Sequence, residues 1–292
     1  AERTFLEPEL RILQRRFSSV TVVPERRLGE LVPLPEGIGL DLSLAERMSS
    51  LSRLAIALPA VSQRHFWHET VTHPLRMIRG NALKRLIVFR GRAQLVRDWF
   101  MSWEPARRAN VICYSFWFEH VSFGLCLAKH SHQQLLVVSR AHGFDLYEER
   151  HHPPYWPCRK EALRLIDAVF SDSQCGTDYL RCRHPKFQSK YITARLGVND
   201  TGFLSRCSTD GVLRVVSCSP LYSVKRPDLM ADSIECLARL APDNRVEWHH
   251  HGNGELAASL IARMHGLPRN CVAQLHAYVS PAELYRFYHD AP

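Results

Sequence analysis

No apolar run in this sequence approaches the roughly 20 residues needed to span a bilayer, and the opening AERTFLEPEL has no signal-peptide pattern. GxSxG and GxxxxGK[ST] are both absent, which removes the nucleophile-elbow and P-loop readings. There is no internal repeat and no low-complexity tract. The nine cysteines, from Cys113 to Cys271, include no CxxC pair, and their number is odd. That usage predicts reduced, mostly buried thiols in a cytoplasmic protein. Acidic residues are also short: 29 against 38 Lys plus Arg, a net charge of +9. The surplus points to an anionic partner (a phosphorylated ligand, nucleic acid or an acidic membrane) or to simple solubility.

What is present is an alternation of short apolar strands and helical patterns. Residues 3–15 read as a helix, with Phe5, Leu6, Leu10, Ile12 and Leu13 apolar. A short strand follows at 19–23, then helical pattern over 42–62 and 64–100 with a break at 72–74. Strands are expected at 110–114, 135–139, 168–171 and 190–196, with helices at 117–131, 158–166 and 177–183. The loop 199–211, rich in Ser, Thr, Asn, Asp and Gly, reads as a linker. Beyond it come strands 213–218, 245–249 and 271–276 and helices 226–240, 254–265 and 281–289. Strand–helix units of roughly 30 residues predict an α/β protein of two facing Rossmann-like domains, 1–204 and 205–292, with helices on both faces of parallel sheets. Ligands in such folds sit at the carboxyl ends of the strands.

Strand 213–218 runs into Ser219-Pro220-Leu221-Tyr222-Ser223-Val224-Lys225-Arg226-Pro227. Pro227 suits the first turn of a helix, so Lys225 and Arg226 fall at a strand-to-helix turn. The turn is either an anion site or a solvated basic loop. The next strand runs into His251-Gly252-Asn253-Gly254, where two glycines permit close backbone approach. The third glycine of a dinucleotide fingerprint is missing. His249, His250 and His251 lie on one strand, so at most two converge, and no carboxylate or Cys stands at ligand spacing. His68 and His73 of HETVTH are five apart, about 140° round a helix, and cannot share an ion. No metal is expected.

The densest polar cluster, Ser139 to His151, follows strand 135–139. Arg140, His142 and Gly143 there belong to a site or to a charged surface loop. Tyr114 and Trp117 line a sugar pocket or a hydrophobic core. Aromatics and cations are not interleaved as a nucleic-acid platform requires.

Eight stretches resemble one family in order: RTFLEPELRIL (3–13), YSFWF (114–118), SRAHGFDLYEERH (139–151), DAVFSDSQCGTDYL (167–180), RLGV (195–198), VVSCSPLYSVKRPDL (215–229), HHGNGE (250–255) and LHAYVSPAELYRFY (275–288). The family is the GT-B, family-4-like retaining glycosyltransferases, nearest the bacterial branch that builds colanic-acid-type exopolysaccharide. The resemblance implies that the C-terminal domain holds a nucleotide diphosphate sugar through Ser219, Lys225, Arg226, Gly252, Asn253 and Gly254, with the base near Leu275 and Tyr278. It implies catalytic roles for His142 and Lys225, an acceptor side at Arg140, Gly143, Tyr114 and Trp117, and no cofactor or metal. The partners implied are a nucleotide-sugar donor and a saccharide or lipid-linked saccharide acceptor, with peripheral membrane association and no nucleic acid. Pro220 stands where many relatives have an arginine. The family's first strand and its Glu-x7-Glu segment have no counterpart here, so both domains are expected to be incomplete. The alternative is a non-catalytic nucleotide-sugar-binding module.

Overall fold

A computed structural model describes residues 3–27, 29, 31, 33–50, 56, 60–62, 64–78, 81–197, 200, 202, 204–205 and 208–290. Parts of the expected helix 42–62 and of the linker 199–211, together with Cys207, lie outside them. The chain divides into two α/β units, Ala1–Val198 and Asn199–Pro292, where the sequence places the division after residue 204.

The first unit opens with α1 (Arg3–Arg16), β1 (Val20–Val22), β2 (Ile38–Leu40) and α2 (Ser43–Ser49). β1 and β2 pair in parallel as a small sheet of their own; β2 is absent from the sequence expectation, because Gly37 and Gly39 mask its apolar content. α3 (Arg64–Thr72), α4 (Pro74–Met77), α5 (Ala82–Met101) and α6 (Pro105–Ala109) follow. In α5, Leu86, Phe89, Ala93, Val96 and Phe100 are buried at alternating spacings of three and four, one apolar stripe. The stripe meets α7 (His120–Ala128) where a Cβ on Gly124 would strike the Ala93 carbonyl, so glycine sets the close helix approach.

β3 (Ile112–Ser115), β4 (Leu136–Ala141), β5 (Ala168–Ser171) and β6 (Tyr191–Thr193) form an all-parallel sheet in sequence order. Between β4 and β5 lie the short α8 (Gly143–Leu146), a 3-10 turn at Glu148–Arg150 and α9 (Arg159–Leu165); α10 (Gln174–Arg183) joins β5 to β6. Strands stepping one way through right-handed crossovers put their connecting helices on one face. Cys113, Val137 and Val169 are buried there. The other face is met by α1 at its carboxyl end, and Ile112 and Leu136 remain 47% exposed.

The second unit holds β7 (Leu213–Cys218), α11 (Pro227–Leu240), β8 (Val246–His251), α12 (Ala257–His265), β9 (Cys271–His276) and α13 (Pro281–Asp290). Its sheet is again parallel, in the order β7-β8-β9. Val246 and Trp248 pack beneath Ala231 and Ile234 of α11 and Leu260 and Met264 of α12. The opposite face carries His249, His251 and His276, against which Phe287 of α13 packs. Helices thus lie on both faces, as expected.

The cysteine expectation needs correction. Of the eight described cysteines, Cys113, Cys126 and Cys158 are buried, whereas Cys175, Cys182, Cys218 and Cys236 are exposed. The exposed ones sit on helix faces or at a strand end, where an apolar thiol is tolerated singly. Among the described residues no helix is long and apolar enough to cross a membrane.

Candidate functional site

At the carboxyl end of the second sheet the backbone pairing continues past the strands. Ser219 N–H donates to the His251 carbonyl at 3.1 Å, Leu221 N–H to Asn253 at 3.0 Å, and Gly252 N–H to His276 at 3.1 Å. A Cβ at Gly252 would run into the Ser219 carbonyl, and one at Gly254 would stand 2.6 Å from the Leu221 carbonyl oxygen. The close approach these glycines permit is to the chain's own 219–221 segment. They lock two strand-to-helix turns into one rigid edge.

A buried polar chain anchors that edge. Trp248 Nε1–H donates to Ser217 Oγ at 2.9 Å. Ser217 Oγ stands 2.7 Å from His250 Nδ1, and His250 Nε2 stands 3.1 Å from the Ser219 carbonyl. With the indole donating to Ser217, the hydroxyl donates to Nδ1 and Nε2–H donates to Ser219. Every member is satisfied with a neutral imidazole. Burial lowers the His250 pKa against the raising effect of the Ser219 bond, which favours that form. The same edge holds buried atoms with no hydrogen-bond partner among the described residues: Ser219 Oγ and both ring nitrogens of His251.

Lys225 closes the 3-10 turn Ser223–Lys225 ahead of α11. Its side chain is exposed and no salt bridge to it occurs among the described residues. With Arg226, Ser217, Leu229, Met230 and Trp248 it lines a shallow cleft of about 360 Å³. Arg226 is left-handed (φ 53°) at the helix N-cap, and its guanidinium pairs with Asp228 at 3.1 Å. Of the two neighbouring cations, the turn leaves one compensated and one open. Asn253 accepts from Gly254 N–H at 2.8 Å. Leu275 packs into the second core and Tyr278 is 76% exposed.

The three consecutive histidines split as strand geometry requires. His250 faces the core. His249 and His251 share the other face with His276 of β9, their rings stacked at 5.2 and 4.5 Å from it. His276 was invisible to the sequence argument because it arrives from the next strand. Among the described residues no group of three His, Cys, Asp or Glu is arranged to hold a metal. The HETVTH stretch is divided as well: α3 ends at Thr72, and Glu69 accepts from Tyr155 OH at 2.9 Å and Cys158 N–H at 3.2 Å.

In the first unit, His142 and Gly143 stand at the carboxyl end of β4. The His142 ring lies 4.4 Å from Trp117 and 4.8 Å from Phe116. Asp145, absent from the sequence candidates, fixes this cluster: its carboxylate accepts from His142 N–H at 2.6 Å and from Phe118 N–H at 2.5 Å. Burial pushes the Asp145 carboxyl up to about 7, against the lowering by those amides and Arg159. The signal was present: His142 and Asp145 have the spacing of a capping box. Arg140 and Tyr114 are engaged elsewhere. Arg140 donates to Glu9 of α1, to the Ala194 carbonyl and, at 3.1 Å, to Tyr114 OH, which itself donates to Glu9 at 2.8 Å. This network ties α1 to the sheet.

No protein-family model and no curated protein matches the chain. Among solved structures it is similar to MurG of Acinetobacter baumannii, with 10% identity, 71% of this chain and 50% of that one covered, and a TM-score of 0.40. It is similar to the pneumococcal O-GlcNAc transferase GtfA in complex with UDP and GlcNAc (15% identity, 68% and 40% covered, TM-score 0.47). It is also similar to the lipopolysaccharide outer core galactosyltransferase WaaB in its apo form (13% identity, 67% and 51% covered, TM-score 0.47). The chain therefore spans between 40% and 51% of the length of these three proteins.

Proposed function

We propose that this chain is a GT-B glycosyltransferase that moves a sugar, with retention, from a nucleotide diphosphate sugar to a hydroxyl acceptor in polysaccharide synthesis. The observation that carries the reading is Lys225. It is a cation with no salt bridge among the described residues, at a strand-to-helix turn, above a cleft, on an edge whose backbone is locked by Gly252 and Gly254.

In sugar transfer the bond between the anomeric carbon and the diphosphate oxygen breaks, and negative charge grows on the leaving diphosphate. A cation already in place stabilises that charge without reorganisation. Lys225 is suited to this contact, and the His250–Ser217–Trp248 chain holds the turn beside it. Arg226 already gives its Nε and Nη2 to Asp228, so its charge is shared before any phosphate arrives. On the first unit, Trp117 and Phe116 beside His142 offer an aromatic surface for sugar C–H faces. Assignment of His142 and Lys225 as catalytic, of the acceptor side to the first unit, and of peripheral attachment to an anionic membrane belongs to this proposal. So does the absence of any metal requirement.

Thermal melting with UDP-, GDP- and dTDP-sugars tests it. A ligand at about 100 times its Kd adds about 2.7 kcal/mol, a shift of several degrees for a chain of this size. One donor class is expected to raise the melting temperature, with the shift largely lost in Lys225→Ala. No shift from any donor refutes the reading.

A further inference from the structure

The segment Ser139–His151 carries two cations and three carboxylates besides its histidines, and the structure pairs them unevenly. Arg140 is taken by Glu9. Asp145 is taken by the His142 and Phe118 amides. Glu148 and Glu149 are both taken by Arg183 of α10, at 3.0 and 3.2 Å, and Glu149 also accepts from Tyr179 OH at 2.8 Å. Arg159, the buried neighbour just beyond the segment, donates to the Asp145 carbonyl. Arg150 is left. It forms no salt bridge among the described residues, its side chain is exposed, and its recorded company is the Tyr147 ring at 5.5 Å.

The guanidinium lies against Gly143: a Cβ there would stand 2.7 Å from Nη1, 3.2 Å from Cζ and 3.3 Å from Nη2. A Cβ at 143 would push this end of Arg150 aside. Glycine at this position leaves room for a cation next to His142, whose ring packs at a tilt against Trp117 and Phe116, and next to Phe144, which is 55% exposed. An aromatic surface with one fork of N–H donors that forms no salt bridge among the described residues matches a saccharide that carries an oxyanion. The rings cover the C–H face of the sugar, and the fork takes two oxygens of one phosphate or carboxylate.

We propose that Arg150 is the anion contact of the acceptor site, and that the acceptor is a saccharide bearing a phosphate or a carboxylate near the ring. This rests on the glycosyltransferase reading for the word acceptor, but the oxyanion preference stands on Arg150 and Gly143 alone. Arg140, the cation that the sequence favoured for this role, is occupied in holding α1.

Calorimetric titration with α-D-glucose 1-phosphate, D-glucuronate and D-glucose tests it, using Lys225→Ala chain so that the donor-side cation does not contribute. At least one anionic sugar is expected to bind 10-fold or more tightly than glucose, and which one identifies the group recognised. Adding Arg150→Ala removes that preference. Arg150→Lys keeps part of it, since the charge remains but the fork is lost. Gly143→Ala, with Arg150 intact but unseated, weakens it as well. Equal binding of all three sugars, or a preference that survives Arg150→Ala, overturns the inference. Arg150 is exposed, so its variants are expected to fold, and circular dichroism checks this. Donor-induced melting shifts with no anionic preference would sink this inference alone. An anionic preference that depends on Arg150, with no donor shift, would sink the transferase reading and leave an oxyanion-binding saccharide site.

Discussion

Mild acid is expected to loosen the second unit before neutral conditions do. His250 is 0% exposed and His251 4% exposed. Burial lowers both pKa values, and for His251 the neighbouring His276, His249 and His250 lower it further. Each is a base whose folded pKa lies below the usual imidazole value of about 6.5. Between those two values the unfolded chain binds the proton and the folded chain does not. Stability is therefore fully present above about pH 6.5 and is lost as pH falls from there toward the folded pKa. Each group contributes a slope of at most about 1.4 kcal/mol per pH unit, so the two together reach at most about 2.7 kcal/mol per unit. The core beneath them is small, built on Trp248, Val246, Leu221 and a few helix residues, and whole domains are stable by only about 5–15 kcal/mol. Losing even half of that slope over one pH unit is a visible fraction.

The assay is hydrogen exchange by mass spectrometry on peptides spanning 246–253, at pH 7.5, 6.5 and 5.5, corrected for intrinsic rates. Protection should fall below pH 6.5. His250→Gln supplies the control, because an amide can accept from Ser217 and donate to Ser219 without titrating. It should lower protection somewhat at pH 7.5 and make the pH dependence shallower. Unchanged protection from pH 7.5 to 5.5, or a slope equal in wild type and His250→Gln, would refute the buried-neutral account of this histidine.

Two further outcomes follow from packing and charge. Gly252→Ala forces a methyl into the Ser219 carbonyl, and the backbone on both sides is tied by hydrogen bonds to His251 and His276. An overpacking cost of about 2 kcal/mol is expected in urea melts, against little change for Gly266→Ala, where the nearest atom stands 3.5 Å from the new Cβ. Arg140→Met leaves the Glu9 carboxylate with Tyr114 alone and should cost about 3 kcal/mol. Arg140→Met combined with Glu9→Gln should recover part of that loss, because the stranded charge is gone, and equal stability of the single and double variants would argue against the network.

The strands of the second unit were legible because each is a short apolar run closed by a turn signal: Leu213–Cys218 and Cys271–His276 fall where expected. Helix α11 begins at Pro227, one residue past the expected start, for the reason that proline suits a first helical turn. β2 was not legible, since a three-residue strand flanked by glycine offers no period to read. At the candidate sites the sequence located the turns but not the partners. It grouped Lys225 with Arg226 by adjacency, and nothing in one dimension announced that Asp228 would take Arg226. It grouped His249 with its two neighbours, whereas the ring that stacks with it comes from 27 residues away. Side-chain pairing across strands and between distant helices is set by register and crossing geometry, which a single sequence does not display.

Pairing also decides what the basic surplus of +9 means. Taken as a sum, it fits nucleic acid, membrane and phosphate equally. Taken residue by residue, many of the cations answer carboxylates of the chain itself, and the surplus is carried by those that do not. Arg140 holds Glu9, Arg183 holds two glutamates, Arg214 holds Asp210 and Glu247, and Arg226 holds Asp228. Such cations answer charges the chain itself supplies, and where the pair is buried, as at Arg140 and Glu9, deleting the cation strands a carboxylate and shows up as lost stability. A cation that the fold positions but does not answer behaves in the opposite way. Its removal should leave stability nearly unchanged and alter only what binds. Lys225 over its cleft and Arg150 over Gly143 are of that second kind, one on each unit and each at the carboxyl end of a parallel sheet. The contrast between them and Arg140 is thus a stronger guide to ligand chemistry than net charge, and it makes Lys225 and Arg150 the two cations whose replacement tests the anion reading.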